Sequence, residues 1–380
     1  MLMKENLFLC IYLCFIFLLI LVINMLTPNF TRKEIVFGVR IPGDKMDSAE
    51  IKDIKRQFIK NNLIIGIPFM LLFSFLNYKF LSAAVILFTV FAFVFIDFLV
   101  YMISNRAVKA LKLKNSWFEG KKQAVAVDVG YSRDKGKTLV SPWFFLIPVS
   151  IILINIILGY ANYAPLPNRV PTHWDLSGNI NGYQTKSIFL IWEMPFTEMA
   201  VTLMLFIVYK IIGWSKQQTN VSNPEISVKK NRRFRRIWSI YAVFSAVAVN
   251  LILTVGTIQI FDIIEISHLF VIIFTIAFII FITLISVVMS IKIGQGGSNI
   301  EIGKQDSGKI ESEFTDKDDD NFWKLANTIY YNPDDPSLFV EKRFGIGWTI
   351  NAGRPAGMAI YIGLIVFIIA VIGFSIFAQN

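Results

Sequence analysis

The chain has 380 residues, of which 55% are hydrophobic and 17% charged, with a formal charge of +10 and a mean hydropathy of +0.58. A soluble domain carries about 25% charged residues, so a disordered chain is excluded and a water-soluble globule is not expected. Cys10 and Cys14 lie on one face of a single apolar run, which excludes a disulfide scaffold, and the positive charge sits in the gaps between apolar runs, which points to a membrane and not to nucleic acid.

A crossing needs roughly 20 apolar residues. Eight stretches meet or approach this: 6–26, 62–77, 80–103, 143–162, 190–212, 237–260, 267–291 and 357–377. The apolar part of the first is too long for a signal peptide, and no small-x-small cleavage site follows it, so it reads as a retained helix. Residues 31–60 read as a turn over 37–43 followed by a charged amphipathic helix. Its apolar face is Ile51, Ile54, Phe58 and Ile59, and it is expected to lie at the interface and lead into the second span. That span contains Pro68 and meets the third across Asn77-Tyr78-Lys79, room only for a tight helical hairpin. Asp97, inside the third span, needs a partner or a wet cavity. A satisfied structural acid and a proton or ion path both fit it. Asn155, Asn250, Gln259 and Tyr101 are polar groups within spans that the sequence does not pair.

Residues 123–129 alternate like a strand, with a turn over 130–138 and a return strand at Leu139-Val140. Gly130 and Gly136-Lys137-Thr138 are spaced one residue too far apart for a phosphate-cradling loop, and Ser141-Pro142 follows where a helix would be needed. Residues 163–189 are the most distinctive loop. Three prolines stiffen its lead-in, and Gly and Asn supply tight turns. The candidate ligand-binding residues there are Thr172, His173, Trp174, Asp175, Asn179, Asn181 and Tyr183. His173 and His268 lack zinc-type spacing, so no metal is assigned. Glu193 and Glu198 flank Pro195 near the start of the fifth span. Either they are costly acids at membrane depth, or that helix begins near Pro195 and leaves Glu193 among headgroups.

Lys229, Lys230, Arg232, Arg233, Arg235 and Arg236 precede the sixth span. They read as a topology anchor on anionic lipid, or as a docking surface for a cytoplasmic protein. Residues 293–355 open with a Gly- and charge-rich linker ending in Asp318-Asp319-Asp320. A short helix from Asn321, turns over 332–336 and strands at 338–340 and 347–350 follow. Asp334 and Asp335 lack calcium-loop spacing and are read as turn residues. The module is expected to form a small packed lid.

The gaps 27–61, 104–141, 210–236 and 292–355 hold 33 of the 37 Lys and Arg residues, which places them in the cytoplasm and both termini outside. The expected fold class is therefore all-α, a polytopic membrane bundle of about eight helices with small cytoplasmic α+β insertions. The divisions are an N-terminal three-helix region (1–103), a hairpin-like insertion (104–141), a membrane region (142–292), a linker and small module (293–355) and a final helix (356–380).

Pro171-Thr172-His173-Trp174-Asp175 through Gly178 and Asn181-Gly182-Tyr183 resembles the signature of the SdpI-type membrane proteins of Gram-positive bacteria, over a region of about 143–292. Residues 321–355 look like a second, uncharacterised module found in some relatives. The resemblance implies immunity to, or sensing of, a secreted membrane-active peptide or protein toxin, with relay to a cytoplasmic repressor. A secondary transporter or channel using intramembrane carboxylates is the alternative. No enzymatic activity, cofactor or direct nucleic-acid partner is expected. Membrane lipids are the expected surroundings.

Overall fold

The computed structural model describes residues 2–80, 82–126, 138–174, 179–302 and 314–377. Its apolar helices are α1 (Leu2–Phe30), α2 (Ala49–Lys79), α3 (Ala83–Lys114), α4 (Leu146–Ala161), α5 (Phe189–Trp214), α6 (Pro224–Ile260), α7 (His268–Ile293) and α8 (Pro355–Phe377). Among the described residues, α1 to α7 are long and apolar enough to cross a membrane, α4 when joined to the 3₁₀ turn Pro142–Phe145 before it, and the apolar stretch Pro355–Ala370 of α8 is shorter. The chain divides into two compact units, one of residues 1–128, 215–231 and 290–380, the other of residues 129–214 and 232–289.

In the first unit α1, α2 and α3 pack around Phe17, which is fully buried with Leu21, Phe73 and Phe93 about it. The Phe17 and Phe93 rings lie 4.9 Å apart. Asn77 Nδ2 donates to Thr89 Oγ1 at 2.8 Å across the turn joining α2 to α3. The expected interfacial helix and second span are one continuous rod. Ser48 caps it by accepting from the Ile51 amide. A π-helical turn, Asn62–Gly66, joins its charged and apolar halves. Ile51 and Phe58 are buried as expected, but Ile59 is exposed. It lies one position beyond the 51/54/58 stripe, so the helical repeat turns it away.

α3 runs on to Lys114 because Tyr101 and Val108 bury against residues 36–58 and Trp117. The expected hairpin-like insertion at 104–141 is therefore helical over its first part. Strand β1 (Ile35–Val36) pairs with β2 (Val39–Arg40) around a turn with left-handed Phe37 and Gly38. Strand β3 (Lys122–Ala124) pairs in parallel with β6 (Phe314–Asp316) and not with a return strand at 139–140. The turn expected over 130–138 falls outside the described residues but for Thr138. The helix expected from Asn321 is a single 3₁₀ turn, Asp320–Phe322, after which the chain passes into β7 (Trp323–Lys324) and β8 (Ile329–Tyr330). Leu325, Ala326 and Asn327 between them all have positive φ, which no right-handed helix accommodates. Strands β9 (Phe339–Glu341) and β10 (Trp348–Ile350) fall on the two expected strand runs and pair antiparallel. The turns at 332–336 close through side chains: Asn332 Oδ1 accepts from the Asp334 amide and Asp335 Oδ1 from the Ser337 amide.

Asp318-Asp319-Asp320 is not a solvated linker end. Lys112 Nζ lies 2.7 Å from Asp318 and 2.6 Å from Asp320. Arg40 Nε donates to Asp319 at 3.0 Å, and Arg343 bonds both Asp319 and Asp320. Three cations within reach make this acid run a structural anchor.

The second unit holds α4, α5, most of α6 and most of α7. Phe145, Tyr209, Ala242, Val243 and Ala246 form one core cluster. Leu166, Val170, Leu190, Ile191, Ile260 and Phe261 form another, beneath strands β4 (Arg169–Trp174) and β5 (Ile180–Thr185).

Candidate functional site

The candidate ligand loop is a two-stranded antiparallel hairpin. Arg169 stands opposite Thr185, Pro171 opposite Tyr183 and His173 opposite Gly182, with register shifts between Pro171 and His173 and between His173 and Trp174. One face is anchored: Val170 is fully buried, and Trp174 packs partly on the same cluster. Lys186 Nζ donates to the carbonyls of Ala164 and Leu166 at 2.8 and 2.9 Å, tying down the base. The other face is presented outward. His173, Asn179, Asn181 and Tyr183 are exposed and Thr172 is half-buried. The Arg169 guanidinium stacks 5.0 Å from the Tyr183 ring centroid, and His173 Nδ1 bonds Asn181 Oδ1. Asp175 falls outside the described residues.

Gly182 allows the strands to approach so closely. A Cβ there would lie 2.6 Å from that of His173. Gly182→Ala is expected to open the pair, so that trypsin cleaves the full chain at Arg169 about tenfold faster or more, since cleavage follows the open population. Unchanged cleavage would count against this geometry.

Glu193 and Glu198 take different roles. α5 begins at Phe189, so both are helical and Pro195 is internal. Glu193 is half-buried and accepts from Gln184 of β5 at 3.4 Å. Glu198 is fully buried, and its Oε1 accepts from Asn155 Nδ2 at 2.6 Å. Among the described residues no group of three or more His, Cys, Asp or Glu is placed to hold a metal. In the first unit Asp97 is 6% exposed, and neither carboxylate oxygen accepts a hydrogen bond from the described residues. Asn24 Nδ2 donates to the buried Asn62 of the π-helical turn at 2.9 Å.

The basic segment splits by helix face. Lys229, Arg233 and Arg236 are exposed, and Lys230 and Arg232 half-buried. Arg235 is 1% exposed and donates to the Ile212 carbonyl at 2.5 Å, so it presents nothing to a docking partner. The i, i+4, i+7 spacing of the exposed three leaves Asn231 and Arg235 on the inner face.

The sequence reading missed a polar cavity of about 230 Å³ in the first unit. Arg32, Arg40, Lys216, Asp316, Asp319 and Asp335 are among its lining residues. Arg32 NH2 lies 2.7 Å from Glu341, which is 1% exposed and also accepts from Asn231 at 3.1 Å. Lys216 Nζ donates to Asp335 at 2.7 Å. Burial alone would raise the Asp335 carboxyl, but the Lys216 bond and the Ser337 amide bring it below the usual range. Burial wins at Asp316, whose carboxyl is raised despite Arg40. No local motif marks this cavity.

Residues 150–198 match the Domain of unknown function (DUF1648), and residues 333–358 match the Family of unknown function (DUF5808). The first is found in membrane proteins, SdpI-like ones among them. No curated protein and no solved structure matches the chain. The DUF1648 match contains the whole β4–β5 hairpin together with Asn155 and Glu198.

Proposed function

We propose that this chain is a non-enzymatic protein of the bacterial cell membrane that senses, or gives immunity to, a membrane-active peptide or toxin through the β4–β5 hairpin, and relays that state to a cytoplasmic regulator. One observation carries the reading: a hairpin fixed by a buried face presents His173, Asn179, Asn181 and Tyr183 outward as a rigid polar and aromatic surface. Rigid aromatic side chains supply binding area at little entropic cost. The resemblance to SdpI-type proteins and the DUF1648 match support it. In this reading eight helices cross, the basic gaps face the cytoplasm, and both termini and the hairpin face outward. The exposed Lys229, Arg233 and Arg236 meet anionic lipid or the regulator.

The test is a peptide challenge. Cells expressing the chain should survive a membrane-active peptide that kills cells without it, and Trp174→Ala or His173→Ala should abolish protection at equal expression. Equal killing with and without the chain across a peptide panel would remove the proposal. Sidedness is checked separately with Asn179→Cys in a Cys10→Ala/Cys14→Ala background. An impermeant maleimide should label it on intact cells, and labelling only after lysis would overturn the orientation. Buried Glu198 and Asp97 keep the transporter reading alive. Vesicles that pass no proton, alkali ion or peptide would remove it.

A further inference from the structure

The buried polar groups of the second unit form two rungs across α4, α5 and α6. In one, Asn155 Nδ2 donates to Glu198 Oε1 at 2.6 Å and to Thr254 Oγ1 at 2.9 Å. In the other, Asn250 Nδ2 donates to Thr202 Oγ1 at 3.0 Å and to the Pro148 carbonyl at 3.2 Å. Glu198 and Thr202 are four apart on α5, and Asn250 and Thr254 four apart on α6. The rungs are therefore one helical turn apart, about 5.4 Å. Glu198, Asn155 and Asn250 are fully buried, and Thr257, next along the same face of α6, is 1% exposed.

In these rungs the amide donors are used, and several oxygens are not. Both amides direct their N–H groups at oxygens, while Glu198 Oε2, Asn155 Oδ1, Asn250 Oδ1 and Thr257 Oγ1 have no hydrogen-bond partner among the described residues. Buried polar atoms are normally paired, and a carboxylate in an apolar bundle needs compensating charge. A proton on Glu198 serves at most two of these oxygens, its own and the one it is donated to. A hard cation draws on several oxygens at once. Glu198 is the one acid in the rungs, so a single positive charge balances the set and a divalent ion leaves an excess.

We infer that Glu198, Asn155 and Asn250 form a binding site for one alkali-metal cation within the helix bundle of the second unit. Thr202 and Thr254 orient the two amides by accepting their N–H groups, which turns the amide oxygens toward the ion. The site differs from the exposed hairpin surface, and an ion held there need not be transported.

The full chain, purified in detergent, is melted in lithium, sodium, potassium and choline chloride at constant ionic strength. One alkali ion should raise the midpoint above that in choline, by an amount growing with the logarithm of its concentration from about 1 to about 100 mM. Glu198→Gln should abolish the shift. Asn250→Ala should move it to about tenfold higher concentration, the loss of roughly one ligand. If Glu198→Gln does not fold, binding of radiolabelled sodium or rubidium to the native chain, competed by unlabelled alkali ions, decides the matter. Equal melting in all four salts, no competed binding, or a shift that persists in Glu198→Gln overturns the site. So does stabilisation by acid without ion selectivity, which would assign the group to a proton. These readouts concern binding alone, so their failure is distinct from failure of the peptide challenge or the flux test.

Discussion

Arg343→Met is expected to cost the first unit about 3 kcal/mol, the lower end for breaking a buried ion network from one side. The Arg343 side chain is 2% exposed, bonds Asp319 and Asp320, donates to the Gly38 carbonyl at 3.0 Å and lies 4.9 Å from the Trp323 ring centroid. Methionine fills much of the space but leaves two acids to Arg40 and Lys112 alone. The lower end of the range applies because those two cations remain. The loss is read as a lower denaturation midpoint of the detergent-purified chain; a midpoint equal to that of the native chain would mean that solvent already screens the network.

Acid should act through the same residues. Burial lifts the Asp319 carboxyl, but Arg343 and then Arg40 outweigh it and hold it at about 2, below its ordinary 3.8. Asp320 is lowered too, Arg343 and Lys112 overcoming burial. A depressed folded pKa gives stability that is complete above the unfolded value and is lost as pH falls through the folded one. The native chain should therefore lose this contribution between about pH 4 and about pH 2. In Arg343→Met this acid-dependent loss should be smaller, because both carboxyls, without their strongest cation, return toward the unfolded value.

Gly38→Ala should be comparably damaging, for a steric reason. Gly38 has φ of +79°, and a Cβ there would stand 2.5 Å from Tyr101 Oη and 2.8 Å from Asn327 Cβ. Neither neighbour can yield: Tyr101 is fully buried and donates to the Ala326 carbonyl at 3.1 Å, and Asn327 donates to the Gly38 carbonyl at 2.8 Å. Left-handed strain of about 1–2 kcal/mol adds to overpacking of about 1–3 kcal/mol. Gly120→Ala is the matched control, with φ of +72° and nothing within 4 Å; it should show the backbone part alone. If Gly38→Ala melts with Gly120→Ala, crowding is not the cause. Combined with Arg343→Met the losses should fall short of additive, because both substitutions disturb the Gly38 carbonyl.

The helices were legible because burial in lipid or protein demands long apolar runs, and each of the eight expected stretches coincides with a helix. Their ends were not. α3 and α6 continue into charged segments that hydropathy treats as gaps, since Tyr101, Val108, Phe234 and Arg235 bury one face while Lys and Arg cover the other. The hairpin was half visible: alternation was hidden by proline and the register shifts between Pro171 and Trp174, whereas its stiffness followed from composition. Glu198 was singled out without its partners, although the i, i+4 pairs Glu198/Thr202 and Asn250/Thr254 inside apolar runs are a signal that could have joined them. The ion network left no such trace. Arg32 and Glu341 are 309 positions apart, Arg40 and Asp319 279, and a lone charge in a sequence looks the same whether solvated or paired.

That separation fixes an order of events during synthesis. A ribosome adding about 5–20 residues per second delivers Arg32 roughly 15–60 s before Glu341. For that interval the guanidiniums meant for a dry interior must be kept wet, or be borrowed by lipid phosphates, while helices on either side of them enter the bilayer. The stretch that carries Arg32 and Arg40 can settle only once residues 319–341 have been translated.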